Sequence, residues 1–307
     1  MGCMGAKDPA GFRLCFYGSL LSSDAVSTVA RDRLEPVPGP GRQQLSGPAR
    51  YLSLTRELAL TNFKLKYTGS ALGYLWSLMK PLAYFGVLYI IFVDFFHQRQ
   101  PEFPMELLLA IVIYNFFSEC TSTALGSIAG NGHLVRKAHF PLSSLVVSQS
   151  LTALLTMAIN FALVVVIGVA LRKLDLGWHT LVVPLLLVEL YVLSLGVGML
   201  LASAFVFYRD LGHIWEVATQ ILLYGCGVVF AASSVPARWQ HMFFLNPLAQ
   251  IIEDFRHAVV TADKAPWSAS LVAAPELIAI PVLLSALCFV AGLWLFRKLN
   301  PVFAENL

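Results

Sequence analysis

One stretch limits what this chain can fold into more than any other. TLVVPLLLVELYVLSLGVGMLLASAFVFY, residues 180–208, contains one acidic residue, Glu189, and no basic residue. As a helix it is about 43 Å long, more than the roughly 30 Å of a bilayer's hydrocarbon core. A helix apolar on every side belongs inside a large core or inside a membrane. Composition separates the two. Of 307 residues, 57% are hydrophobic and 13% charged, about half the charge (about 25%) of a soluble domain. Mean hydropathy is +0.71. Comparable runs recur at 71–96, 105–128, 142–171, 214–232 and 275–296. The expected fold class is therefore an all-α integral membrane protein with six transmembrane helices. The first run is interrupted by Lys80-Pro81, which predicts a kink or a later helix start.

Six spans place both termini on one side, and Lys and Arg select that side. Arg56, Lys64, Lys66, Lys80, Arg136, Lys137, Arg209, Arg297 and Lys298 fall on the N-terminal side, nine in all; Arg99, Arg172, Lys173, Arg238, Arg256 and Lys264, six, fall on the other. The bias predicts cytoplasmic termini. Residues 1–49 are rich in Pro and Gly and read as a flexible tail without a cleaved signal. Residues 50–70 read as an amphipathic helix lying at the membrane interface, with Arg50, Ser53, Glu57, Thr61 and Lys64 as its polar stripe. Residues 71–307 form the membrane domain.

Several positions carry candidate chemistry. GNGHLVRKAHFP, 130–141, is a short basic segment between two apolar runs. Asn131 can cap two helical turns that Pro141 stops. Phe85, Tyr89, Phe92 and Phe96 share one helical face, a stripe that either packs on lipid and neighbouring helices or lines a path for flat sugar faces. Asn115, Glu119, Ser122 and Gly126 share another; a carboxylate at such depth needs a partner helix or water. Glu189 poses the same problem. The segment 233–267 is too long for a turn and carries Pro236 and Pro247 as breaks. GVGMLLAS (196–203) and GCG (225–227) permit close helix approach, within the chain or to a second copy.

Other function classes are excluded or weakened. A net charge of +3 is too small to argue for nucleic acid. The five cysteines are scattered, which predicts neither a disulfide framework nor a metal site. A GxxxxGK[ST] loop is absent, so the chain is expected to bind no nucleotide cofactor itself. An acyltransferase-like enzyme needs a nucleophile and base at one membrane face, and His213 with Glu216 is the only tempting pair; at this spacing it suits a helix start. A secondary transporter is disfavoured by the lack of internal repeats and of paired charges in the spans.

At these positions the sequence resembles the type-2 ABC exporter permeases. KYTGSALGYLWSLMKPL, 66–82, is similar to their approach to the first span, through Tyr67, Ser70, Leu72-Gly73, Trp76 and Pro81. NGHLVRKAHFP matches the loop after span two through Asn131, Leu134, Lys137 and Phe140-Pro141. Arg209-Asp210 matches the pair after span four, and Asn246-Pro247 with Arg256 the segment before span six. The polysaccharide and teichoic-acid exporters are most similar. The resemblance implies a homodimeric permease in the bacterial cytoplasmic membrane that exports a lipid-linked glycan of O-antigen, galactan or teichoic-acid type. It implies one ATP-binding subunit, with ATP and Mg, beneath each copy. It also implies that the segment 233–267 forms two short re-entrant helices at the outer leaflet. Asn131, Leu134, Arg136, Lys137, Phe140 and Pro141 would then form the coupling segment. Drugs or other lipids are the alternative cargo within the family. The chain departs from the pattern in its long tail and in Leu142-Ser143-Ser144, where a basic residue is more usual.

Overall fold

The computed structural model describes residues 47–69, 72–97, 100–132, 141–174, 177–230, 235–260, 267–268 and 279–303. The expected tail, residues 1–49, lies almost wholly outside them.

The described residues are helical and contain no strand. Helix α1 is Pro48–Tyr67 and α2 is Leu75–Tyr89, continued by a π-helical stretch, Ile90–Phe95. Helix α3 is Phe103–Gly126 and α4 is Ser143–Ala170. A 3-10 turn, Trp178–Val182, leads into α5, Val183–Phe205. Then come α6, Leu211–Gly225; α7, Ala237–Phe244; α8, Pro247–Val259; and α9, Ala279–Leu299. Five of these stretches are long and apolar enough to cross a membrane: Leu75–Phe95, Phe103–Gly126, Ser143–Ala170, Trp178–Phe205 and Ala279–Val302.

Helix α3 is the centre. Its apolar stretch is 78% buried, against 11% for α2, so α3 is the core helix and α2 is peripheral. Leu107, Leu109, Ala110, Ile111 and Ile113 of α3 are wholly enclosed, and α4 and α5 pack along it. Helix α9 lies along α5. A Cβ on Gly292 would come within 2.4 Å of the Gly196 carbonyl oxygen, and one on Gly196 within 2.5 Å of the Phe289 Cα. The small-residue run of α5 therefore serves a backbone contact within the chain. Gly198 of the same run faces the Ala124 Cβ of α3.

Three expectations change in detail. Helix α2 starts at Leu75 and passes through Pro81 without a break. The proline ring removes one helical hydrogen bond, the one to the Ser77 carbonyl, but does not delay the start. The run 214–232 yields a helix that ends at Gly225, 15 residues long and about 22 Å. Backbone beyond it leaves the helix because it finds other donors: the buried Arg256 guanidinium donates to the Gly227, Val228 and Phe230 carbonyls at 2.9, 3.0 and 3.2 Å. Irregular backbone at membrane depth is tolerated where protein satisfies it. Thirdly, α1 turns a face of small residues toward α4. Thr55 and Ala59 are buried, and Thr152 Oγ1 donates to the Ala59 carbonyl at 3.2 Å. Arg50, Glu57, Thr61 and Lys64 are exposed, as are Leu52 and Leu65.

Helix α6 runs antiparallel beside α3. Trp215 Nε1 donates to Thr121 Oγ1 at 3.2 Å, the Tyr114 hydroxyl donates to the Thr219 carbonyl, and Arg256 links the Gly227 carbonyl with the Glu106 carbonyl. Its outer stripe, Ile214, Val217, Ile221 and Tyr224, is exposed.

A polar cleft between the surface helix and the first three spans

The cleft is built by the turn between α1 and α2. Thr68 closes α1 through its amide and its hydroxyl, both on the Lys64 carbonyl (3.0 and 2.6 Å). Gly69 and Gly73 take positive φ, 84° and 44°, which glycine alone adopts at little cost. The buried Tyr67 ring packs on Phe63 (5.2 Å between centroids) and Tyr74 (4.8 Å) and pins the end of α1 to the start of α2. This explains two motif positions: Tyr67 is the pin, and Gly73 the hinge residue.

Lys66 is then directed at α3. Its ammonium pairs with Glu119. Thr156 of α4 lies between them, accepting from Lys66 Nζ and donating to Glu119 Oε1, each at 3.4 Å. Three residues of the expected polar face of α3, Asn115, Glu119 and Ser122, line a space of about 740 Å³ together with Ser118, Lys66, Tyr67, Gly73, Trp76, Lys80, Pro81 and Asn160, whereas Gly126 is not among its lining residues. Asn160 donates its amide to the Thr156 carbonyl at 3.1 Å, while its buried Oδ1 has no partner among the described residues. The deep carboxylate of Glu119 thus has the partner its position requires, but from α1, 53 positions away, where no local pattern signals it.

The aromatic stripe does not line this polar space. Phe85 and Tyr89 (5.8 Å between centroids) border a second cleft of about 320 Å³ with Leu82, Met105, Leu108 and Ile167. Phe92 stacks on Phe96 (5.5 Å) and touches Phe103 (6.0 Å). The π-helical turns from Ile90 change the residues per turn, so the stripe becomes two pairs. Both clefts lie between α2, α3 and α4. Ser77, Pro81, Phe85 and Tyr89 recur every four residues, so polar and aromatic lining follow one face of α2.

The other predicted positions serve the scaffold. Asn246 caps α8, its side chain accepting from the Leu248 amide at 3.1 Å, and Pro247 fills the first helical position. Arg256, 2% exposed, pairs with Glu253 at 3.2 Å besides gripping the carbonyls after α6. Arg209 and Asp210 are exposed at the α5–α6 turn, with the Arg209 guanidinium 5.4 Å from the Phe205 ring centre. Of the coupling segment, Leu134, Arg136, Lys137 and Phe140 lie outside the described residues. Asn131 donates its amide to the Ser127 carbonyl at 2.8 Å, closing the end of α3. The Pro141 carbonyl accepts from the Ser144 amide and hydroxyl at 2.9 and 2.6 Å and opens α4.

A second polar knot was missed except for Glu189 and Arg256. Gln250 donates to Asp254 Oδ2 at 2.6 Å, and the Ser268 amide donates to Asp254 Oδ1 at 3.0 Å. Glu189 of α5 faces both residues, with its Oε1 buried and unpartnered among the described residues. Burial pushes the Asp254 carboxyl above the usual carboxylate range, against the hydrogen bonds from Gln250 and Ser268.

Comparison with known proteins adds the family. Residues 54–260 match the model of the ABC-2 type transporter family. The O-antigen export system permease protein RfbA of Klebsiella pneumoniae is 25% identical over 256 residues, covering 81% of this chain and 94% of that protein. RfbA of Myxococcus xanthus is 25% identical over 264 residues, 84% and 96% of the two chains. The polysialic acid transport protein KpsM of Escherichia coli is 23% identical over 214 residues, 66% and 80%. The bundle of long apolar helices and a family match over two thirds of the chain agree: this chain is a multi-pass membrane protein and belongs to the ABC-2 type transporter family.

Proposed function

We propose that the chain is the permease subunit of an ATP-driven exporter of a lipid-linked polysaccharide, working as a homodimer in the bacterial cytoplasmic membrane with both termini in the cytoplasm. One observation carries the reading: similarity to O-antigen export permeases spans at least 94% of each of those two proteins. ATP and Mg belong to a separate ATP-binding subunit, one under each copy, which the segment 131–141 and the Arg209-Asp210 turn contact. The cleft between α2, α3 and α4 supplies the path, with polar lining near Glu119 and rings at Phe85 and Tyr89 further along. Aromatic faces attract sugar faces without fixing register, which suits a sliding polymer. The exposed apolar faces of α2 and α6 are available to lipid and to the second copy.

The test is co-purification with the ATPase encoded beside it, followed by reconstitution. ATP-dependent movement of a lipid-linked glycan across the vesicle wall is the expected outcome. Transport without the ATPase, or of drugs and simple lipids but not glycan, would overturn the reading.

A further inference from the structure

Four buried side-chain atoms have no hydrogen-bond partner among the described residues, and three of them gather in the second polar knot: Glu189 Oε1, Gln250 Oε1 and Ser268 Oγ. Folded proteins leave few such atoms, and each needs a physical reason. All three are oxygens, and all three belong to neighbours of Asp254. Gln250 Nε2 rests on Asp254 Oδ2 at 2.6 Å, and its Oε1 shares a carbon with that nitrogen. The Ser268 amide rests on Asp254 Oδ1 at 3.0 Å. Glu189 stands close enough for the Asp254 charge to act on it. Water has little access, since Gln250, Asp254 and Ser268 are 3%, 5% and 1% exposed. The charges are also unbalanced. Neither carboxylate is ion-paired with a Lys or Arg among the described residues. Arg256, two positions from Asp254, is turned to Glu253 and to the carbonyls after α6. His257 acts on Asp254 with positive sign, but its ring is packed on Trp267, 4.1 Å between centroids. Two enclosed carboxylates in this state repel one another.

We propose that this knot binds a divalent cation of the calcium type, held by Glu189, Gln250, Asp254 and Ser268. Two carboxylates, an amide oxygen and a hydroxyl are hard ligands, which suit a hard cation. No group of three or more His, Cys, Asp or Glu side chains suited to a metal occurs among the described residues, so the donor set is not that of a transition-metal centre. Two carboxylates cancel a divalent charge; a monovalent ion would leave one of them uncompensated in an enclosed place. With both carboxylates bidentate the four residues offer about six oxygens, the lower end of what Ca²⁺ takes. Mg²⁺ holds several of its waters, for which so closed a site has little room. Glu189 lies six residues into α5, about 9 Å along its axis, within reach of ions on that side of the membrane. The ion would tie α5 to α8 and to the segment before α9, and so fix the short helices against the bundle. The site is independent of the export reading.

The experiment uses the purified full-length chain in discs of zwitterionic lipid, stripped with a chelator at neutral pH. Added Ca²⁺ should bind saturably, about one ion per chain, and raise the melting temperature by about 5 °C at roughly a hundred times its Kd. Mg²⁺ should bind at least about tenfold more weakly. Glu189→Gln and Asp254→Asn should each weaken Ca²⁺ binding at least about tenfold and abolish the rise in melting temperature. In chelator neither variant should melt below the parent, because each removes one of two like charges. Glu57→Gln, on the exposed side of α1, should bind as the parent does. Tb³⁺, a luminescent stand-in for Ca²⁺, should emit when Trp267, next to Ser268, is excited. Trp267→Phe should remove most of that emission and leave Ca²⁺ binding in place. Absence of saturable binding, Mg²⁺ binding as tight as Ca²⁺, or Ca²⁺ affinity that survives both carboxylate substitutions overturns the proposal; water or a proton then serves the three oxygens. Should a carboxylate variant fail to fold, the terbium signal decides, and emission that Trp267→Phe leaves unchanged places the ion elsewhere and overturns it. Neither glycan nor ATPase enters the assay, so its outcome leaves the export reading to its own test.

Discussion

Arg256 carries more of the fold than its place near the end of a short helix suggests. Its guanidinium serves the carbonyls of Gly227, Val228, Phe230 and Glu106 and the Glu253 carboxylate from a site that is 2% exposed. Arginine suits the task because its five donors are fixed in a plane; lysine offers a point charge on a flexible stem. Arg256→Met should therefore destabilise by at least about 3 kcal/mol, since several buried acceptors and a carboxylate lose their donor together. Arg256→Lys should recover little of this; thermal unfolding in detergent checks both. Asp254, two positions earlier, predicts a pH effect. Burial raises its carboxyl, so the folded state holds the proton more tightly than the unfolded chain does. The stability this gives is complete below the unfolded value, about 3.9, and is lost as pH rises through the folded one. Gln250, Ser268, His257 and Glu189 face the group. Asp254→Asn keeps an acceptor for the Ser268 amide, and its new amide hydrogen can meet the unpartnered Gln250 oxygen once that side chain flips. The variant should melt higher than the parent at pH 8, with the difference closing toward pH 4. A variant that melts lower at pH 8 contradicts the burial argument.

Among elements, the α5–α9 pair depends on glycine at both ends of one contact. Gly196 and Gly292 meet backbone to backbone, the close approach that small residues permit between membrane helices. Gly292→Val must push α9 away from α5 or strain both, and the double change with Gly196→Val should be no worse than additive only if the helices have already separated. Loss of the monodisperse peak in size-exclusion chromatography, with Gly86→Val unaffected because open space surrounds Gly86, is the expected result. The small-residue run was legible in the sequence; its partner was not, because the choice of α9 rests on contacts almost a hundred residues apart. The same limit governs the cleft. Asn115, Glu119 and Ser122 were readable as one polar face from their spacing, but Lys66 was readable only as one of several charges. The aromatic stripe shows the converse error: its helical spacing holds through Tyr89 and fails where the π-helical turns begin, a backbone change with no marker in the residue types. Asn246-Pro247, by contrast, was fully local, a cap followed by proline, and needs no distant partner.

For the whole molecule the open question of topology falls on α6, which has 15 residues where a full span has about 20. Its neighbours indicate how far it travels. Along α6 and the turn after it, Trp215, Thr219 and Gly227 meet Thr121, Tyr114 and, through Arg256, Glu106. These partners progress along α3 from near its end to near its start. Helix α8 also lies at that end, since Thr180 Oγ1 donates to the Ala258 carbonyl at 3.2 Å just before α5 begins. The turn after Gly225 thus reaches the level where α3 and α5 begin, although the helix is short, because residues 226–230 complete the passage as backbone held by Arg256. Six crossings, with termini on one side, are therefore the predicted topology. Single cysteines introduced into a version lacking the native five provide the measurement. A cysteine at His97, Trp178 or Trp239 should react with a membrane-impermeant maleimide added outside intact cells, and one at Tyr208 or Val302 only after the membrane is opened. Arg136→Cys belongs with the second group and should also crosslink to the co-purified ATPase in at least one nucleotide state. If Trp239 instead labels with Tyr208, α6 turns back within the membrane, the C-terminus moves to the other face, and the nine positive charges assigned to the cytoplasm lose two, Arg297 and Lys298, to the outside.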